Sequence, residues 1–167
     1  LLEKKIIYSA NTDQLTDLYN RRYFYEYMTR NKIMSKHVNL FYIDLDNFKK
    51  INDEYGHQAG DTVLVMVAKL LKQTFGAEFI ARVGGDEFLA VVLGSKTDAE
   101  LAILAERFLS SLQQTIADNA KFAVLSASIG IAVSNALTDV DLLIRQSDSA
   151  LYEAKRNGKK QYKIYHK

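Results

Sequence analysis

Two short acidic stretches carry the residues of this chain best suited to chemistry: Asp44-Leu45-Asp46 and Asp86-Glu87. The second belongs to Gly84-Gly85-Asp86-Glu87-Phe88, which lies between two apolar runs, 78–83 and 88–93, that read as strands. Adjacent glycines between strands predict a tight hairpin whose backbone angles side chains resist. Asp86 and Glu87 then stand at or just beyond its tip, able to hold a divalent cation, while Gly84 and Gly85 leave room for phosphates. A solvated Gly-Gly-Asp turn without any ligand is the plainer alternative from this motif alone. The first stretch ends another apolar, β-rich run, 38–43. Alternate residues of a strand share a face, so Asp44 and Asp46 point the same way if the strand continues. An unpaired carboxylate ending an apolar strand needs a cation or several donors. Magnesium suits such a place, since it takes one or two carboxylates together with nucleotide phosphates. Asp46 is expected instead to cap the helical turn that follows.

The elements that must position these acids follow from periodicity. Residues 1–12 read as the end of a helix entering the domain. Asn20 reads as the N-cap of a helix through about 35, with Phe24, Tyr27 and Met28 as apolar contacts. A strand covers 38–44, and Leu64, Val67, Leu70 and Leu71 recur at helical spacing in 61–75. Thr97-Asp98-Ala99-Glu100 is a capping box opening a helix striped by Leu101, Leu104, Ala105, Phe108, Leu112 and Ile116. A long strand over 122–133 has small residues, Ser126, Ser128, Gly130 and Ala132, along one face. A helix over 139–157 ends at Gly158, and 161–165 reads as a short final strand. A hairpin inside a strand–helix alternation predicts an α+β fold with a mixed, mostly antiparallel central sheet flanked by helices. The tyrosines at 23, 25 and 27 are assigned to packing, and His57 to a structural role.

With 167 residues, 48% of them hydrophobic and 25% charged, the chain suits one globular domain. A net charge of +2 implies no bulk polyanion, so nucleic acid is not expected as a partner. The basic residues crowd the C-terminus (Arg156, Lys159, Lys160, Lys163, Lys167), where a solvated end or a phosphate contact is possible. Without cysteine there is no disulfide or thiolate metal site, which suits a cytoplasmic location. No apolar stretch approaches the roughly 20 residues that cross a bilayer, so no membrane contact by this domain is expected. The start at Leu1 reads as that of an excised piece, whose parent could carry a sensor or a membrane anchor.

The chain resembles the GGDEF domain, the catalytic module of diguanylate cyclases, from about Asp13 onward. The matching blocks occur in family order: Asp13-x-Leu15-Thr16-x-Leu18-x-Asn20-Arg21-Arg22-x-Phe24, then Asp44-x-Asp46-x-Phe48-Lys49-x-Ile51-Asn52-Asp53-x-Tyr55-Gly56-His57-x-x-Gly60-Asp61. Arg82-x-Gly84-Gly85-Asp86-Glu87-Phe88, Ser128-Ile129-Gly130-Ile131-Ala132 and Asp148-x-Ala150-Leu151-Tyr152-x-Ala154-Lys155-x-x-Gly158 complete the set. The resemblance divides the chain into the end of an N-terminal linker or signalling helix, 1–12, and a catalytic domain, 13–167. It implies a ferredoxin-like sheet akin to nucleotidyl cyclase and polymerase palm domains. It also implies condensation of two GTP into cyclic di-GMP and two pyrophosphates across a homodimer, with Mg2+ or Mn2+ as the metal.

The roles implied fall as follows. Asp44, Asp86 and the Leu45 carbonyl hold metal; Glu87 joins them or deprotonates the ribose 3′-hydroxyl. Gly84 and Gly85 pass close to the α-phosphate, and the amides of Asn47 and Phe48 open a helical turn, which suits an anion. Lys49 and Lys155 pair with the outer phosphates, while Asn52 and Asp61 read guanine. For Asp61, N-capping of a helix from Thr62 is an equal alternative. The sequence departs from the family at two places. The Arg-x-x-Asp product-inhibition site is replaced by Phe75 and Glu78, which predicts no inhibition through it. Lys159 stands where arginine is usual, which predicts weaker phosphate binding. A GTP-binding regulatory module without turnover is the rival reading.

Overall fold

Period-two alternation along one central strand decides which side chains reach the site. The computed structural model describes residues 1–30, 33, 36–76, 79–136 and 139–167. Helix α1 (Leu2–Asn11) leads through the two-residue strand β1 (Tyr19–Asn20) and α2 (Arg21–Met28) to that strand, β2 (Val38–Asp46). Two helices, α3 (Phe48–Tyr55) and α4 (His57–Phe75), precede the hairpin of β3 (Phe79–Arg82) and β4 (Glu87–Leu93). Helix α5 (Asp98–Ile116), a 3-10 turn at Ala120–Phe122, β5 (Ser126–Ser134), α6 (Val140–Arg156) and β6 (Tyr162–Ile164) complete the chain.

The strands form one six-stranded sheet in the order β1-β3-β4-β2-β5-β6. The β1–β3 and β5–β6 pairs are parallel and the rest antiparallel. The fold is therefore the expected mixed, mostly antiparallel α+β arrangement. Odd positions of β2 (Phe41, Ile43, Leu45) join α4 and α5 in one buried cluster. Leu40 and Val38 join Phe24 and Met28 of α2 and Leu143 of α6 in the other. Asp44 and Asp46, being even, follow Leu40 onto the α6 side.

Helix α6 reaches that face closely because the β5 residues beneath it are small. A Cβ at Gly130 would collide with the α6 backbone at Ser147 and Leu151. The small-residue face read from 126–132 is thus the bed of a helix.

Four boundaries differ from expectation. Helix α2 ends at Met28, where the Thr29 hydroxyl turns back to the Glu26 carbonyl, 3.1 Å away. The rest of the expected helix lies partly outside the described residues (31, 32, 34 and 35), as does Glu78. Strand β2 runs on to Asp46 because its pairing with β5 extends to Asp46↔Ser126, so Asp46 is a strand residue and does not cap. Helix α4 starts at His57: Gly56, at φ +90, turns a one-residue corner out of α3 that an L side chain resists. Asp61 is therefore inside the helix and is not its cap. Finally, β5 begins at Ser126, because Asn119 accepts from the Lys121 amide and closes a 3-10 turn that buries Phe122. The remaining caps are as read: Asn20 accepts from the Tyr23 amide, Thr97 and Glu100 form the capping box, and Gly158 takes φ +115 beyond α6.

Candidate functional site

The end of β2, the tip of the β3–β4 hairpin and the last turn of α6 converge on one place. Asp44 pairs with Glu87 across the β2–β4 ladder, and the Leu45 amide donates to the Asp86 carbonyl at 3.2 Å. The hairpin tip is thereby fastened to the acidic end of β2. From α6, the Lys155 ammonium lies 2.6 Å from Asp46 Oδ1 and 3.4 Å from Asp44 Oδ2.

The two β2 acids differ sharply in how they are satisfied. Asp46 is buried and accepts from Ser126 Oγ (2.7 Å), Ser128 Oγ (2.8 Å), Lys155 Nζ (2.6 Å) and the Lys160 amide (3.1 Å). Burial works against its ionisation, but the bonds from Lys155, Ser126 and Ser128 outweigh it and hold the carboxyl below the usual carboxylate range. Among the described residues Asp44 has Lys155 alone. Its Oδ1 is buried without any hydrogen-bond partner. Burial pushes its carboxyl up to about 6, Lys155 pulls against that, and the Asp86 and Glu87 carboxylates push it further.

Glu87 is the first residue of β4. The Tyr42 hydroxyl donates to its Oε2 at 3.0 Å, and burial, then Glu87, pushes the Tyr42 phenol upward. The motif glycines are there for space. Neither Gly84 nor Gly85 has a positive φ, which corrects the expectation that the turn needs their backbone freedom. A Cβ on Gly84 would meet the Glu87 carboxylate, whereas one on Gly85 would meet nothing within 4 Å. Gly84 makes room for Glu87, and Gly85 leaves the tip open.

The turn is stiffened from below by Arg82. Its guanidinium donates to the Gly84 and Gly85 carbonyls (2.9–3.2 Å) and to both Asp13 carboxylate oxygens at 3.2 Å. Asp13 also accepts from the Thr16 amide (3.0 Å) and hydroxyl (2.6 Å). Burial of Asp13 is outweighed by these bonds, and its carboxyl stays below the usual range. The hairpin tip is thus tied to the segment that follows α1.

The other expected site residues occupy the surrounding rim. Asn47, left-handed at φ 65, donates from Nδ2 to the Val124 carbonyl (2.8 Å), so α3 begins at Phe48 with no side-chain cap on its amides. Lys49 is exposed and paired with Asp53 at 2.9 Å. Asn52 is half-buried on α3 and Asp61 exposed on α4; among the described residues neither side chain makes a hydrogen bond or ion pair. Lys159 and Lys160 adopt φ 64 and 54, a left-handed turn that presents the Lys160 amide to Asp46. A cavity of about 600 Å³ lies elsewhere, between α1 and Leu18, Tyr19, Tyr23 and Lys72, and includes none of these acids.

Sequence reasoning left Tyr42, Asp13, Arg82, Ser126 and Ser128 without roles and misplaced Asp46. Period-two counting back from Asp44 reaches Tyr42, and the small residues of β5 flagged the two serines. No local signal pairs Asp13 with Arg82.

A hard divalent cation fits this donor set. The side chains are carboxylates, and Asp44 offers an oxygen that the protein leaves unsatisfied. Among the described residues no three His, Cys, Asp or Glu side chains are gathered closely enough to hold an ion by themselves. Magnesium commonly completes such a shell with substrate phosphates and water.

Known proteins share the sequence pattern and the fold of this chain. The family described as "Diguanylate cyclase, GGDEF domain" matches residues 10–161. Signaling protein YkoW of Bacillus subtilis is 38% identical over 98% of this chain and 21% of its own length. Diguanylate cyclase DgcS of Shewanella oneidensis is 37% identical over 93% of this chain and 53% of its own. Cyclic di-GMP phosphodiesterase PdeR of Escherichia coli is 36% identical over 93% of this chain and 24% of its own. The chain thus spans about half or less of the length of these curated relatives. The coiled coil and GGDEF domain of DgcB from Caulobacter crescentus, solved with c-di-GMP, superposes with a TM-score of 0.88 at 26% identity, covering 98% of this chain and 90% of that one. This chain belongs to the GGDEF domain family of diguanylate cyclases.

Proposed function

We propose that this chain condenses two GTP into cyclic di-GMP and two pyrophosphates. The observation that carries the reading is the Asp44 carboxylate, with one oxygen buried and unpartnered, facing the turn that bears Asp86 and Glu87. In the proposed reaction each ribose 3′-oxygen bonds to the other nucleotide's α-phosphorus. The bond from that phosphorus to the bridging oxygen breaks, and pyrophosphate leaves with the electron pair. Asp44, Asp86 and the Leu45 carbonyl would hold magnesium or manganese. The ion would supply charge neutralisation on the phosphates. Glu87, held by Tyr42, would join them or take the 3′ proton. Lys49, Lys155 and Lys159, with the amides of Asn47 and Phe48 and the open face of Gly84-Gly85, would receive the triphosphate. Asn52 and Asp61 would read guanine, their polar groups being uncommitted among the described residues.

Each chain offers one such site, so the reaction requires two copies facing each other, and specific activity should fall on dilution. Helix α1 is read as the end of a signalling helix below an N-terminal sensor, with residues 13–167 as the catalytic domain in the cytoplasm. Among the described residues no helix is long and apolar enough to cross a membrane. Phe75 is buried, edge-on to Phe41, where an inhibitory arginine would need to face ligand. Product inhibition through that position is therefore not expected, and non-competitive inhibition by cyclic di-GMP would contradict this.

The test is incubation with GTP and magnesium followed by mass identification of the products. Asp86→Ala and Glu87→Ala should abolish synthesis, and retained synthesis by Asp86→Ala would overturn the metal assignment. One observation favours a silent GTP-binding module instead: Lys155, expected to meet phosphate, is already paired with both β2 acids. GTP binding without product in the unsubstituted chain would decide for it.

A further inference from the structure

We infer that Gly60 is a specificity-determining residue, which sets the position of the Asn52 carboxamide and through it the recognition of guanine. The inference rests on the reading of Asn52 as a base contact and deepens it. Helices α3 and α4 meet at the Gly56 corner, and the first turn of α4 packs back against α3. Gly60 is buried in that contact. A Cβ built on it would fall inside the Asn52 side chain, overlapping Oδ1, and would lie 3.2 Å from Phe48 Cζ. Gly60 has no positive φ, so the backbone does not demand glycine here. What demands it is the carboxamide lying over it.

No hydrogen bond within the described residues holds that carboxamide. Its place is therefore set by contact alone, between the bare Gly60 backbone below and the Phe48 ring beside it. Two consequences follow. The Asn52 donors and acceptor have no partner among the described residues, and the next residue after Gly60, Asp61, carries a carboxylate equally without one on the same turn of α4. A methyl group at position 60 would push the Asn52 side chain away and crowd only the far edge of the Phe48 ring, leaving the Phe48 amide and the other phosphate-binding groups in place. Polar groups built to bind a base lose discrimination steeply when displaced.

The test uses a GTP analogue with methylene between the α- and β-phosphorus, and inorganic triphosphate as the base-free probe, both titrated with magnesium by calorimetry. Gly60→Ala should weaken the analogue about tenfold and leave triphosphate affinity unchanged. Alanine in a helix interior is otherwise favourable, so the melting temperature should not fall sharply. In the Asn52→Ala background the same substitution should have no further effect on either ligand, since the two residues act through one contact. Unchanged analogue affinity in Gly60→Ala, or an equal loss for both ligands, would overturn the inference. Unchanged analogue affinity in Asn52→Ala would overturn the base-contact reading itself, and this inference with it. Should Gly60→Ala fail to fold, recovery of folding by the added Asn52→Ala would place the clash where it is proposed, and no recovery would refute it.

Discussion

Asp44 and Asp46 sit two residues apart on one strand, face the same helix and touch the same lysine, yet the protein treats them in opposite ways. Asp46 is filled on every side: hydroxyls from β5, an ammonium from α6 and an amide from the turn beyond it. Asp44 shares the ammonium at a longer distance and keeps a buried oxygen that, among the described residues, has nothing to accept from. A saturated carboxylate holds elements together; an unsaturated one beside it, with one oxygen buried, is energetically costly to the free protein and useful to a ligand. The difference separates architecture from chemistry within two residues.

Substitution should separate them in the same way. Asp44→Asn should lower cyclic di-GMP synthesis the most, by about 100-fold or more, without loss of thermal stability, as product analysis and melting curves would show. Asp46→Ala should do the reverse at first order. Removing the acceptor of several buried donors should cost about 3 kcal/mol in urea unfolding. An Asp44 variant that unfolds, or an Asp46 variant as stable as its parent, would erase the distinction.

The pH dependence of stability sharpens it. Asp44 has a folded value of about 6 against an ordinary 3.8. The folded state thus holds this proton more tightly than the unfolded chain does. The associated stability is present below about pH 4 and is lost as pH rises through about 6. Asp46, depressed in the folded state, works the other way, stabilising above its unfolded value and losing that contribution as pH falls. Comparing urea unfolding of Asp44→Asn with the parent, the difference should move in favour of Asn between pH 4 and pH 6. A pH-independent difference would mean that Asp44 is not the strained acid. Chelation of divalent metal should abolish synthesis, and magnesium or manganese should restore it.

Smaller effects are expected around the pair. Arg82→Ala should slow synthesis about tenfold by releasing the Gly84 and Gly85 carbonyls and the Asp13 tether. Tyr42→Phe, which removes one hydroxyl from Glu87, should lower kcat only a few-fold. An unaltered kcat would assign that hydroxyl to packing.

Much of this was legible in the sequence, because the relevant signals are local. Alternation in 38–44, the helical stripe of 101–116 and the capping box at Thr97 need only neighbours along the chain. The role of Asp46 did not yield to that logic. A strand-ending Asp before a helical turn looks like a cap, and only the reach of β5 to Ser126 keeps the strand going. The start of α4 was misread because Gly56 looks like a loop, and its left-handed corner joins two helices with no loop between them. The glycines of the hairpin were given a conformational reason, whereas the structure gives Gly84 a steric one, visible only once the Glu87 side chain is in place. Asp13 and Arg82 meet across 69 residues, a distance that no periodicity reports.

Gly130 has a consequence beyond packing. With no side chain between them, the α6 backbone rests directly on β5, and the reach of Lys155 down to the two aspartates is measured from that seat. A single methyl inserted there would act as a shim: it would raise the whole rod, withdraw the ammonium from Asp46 and slacken the lysine turn bound to it. A residue that never meets nucleotide thereby calibrates the height at which a positive charge is delivered.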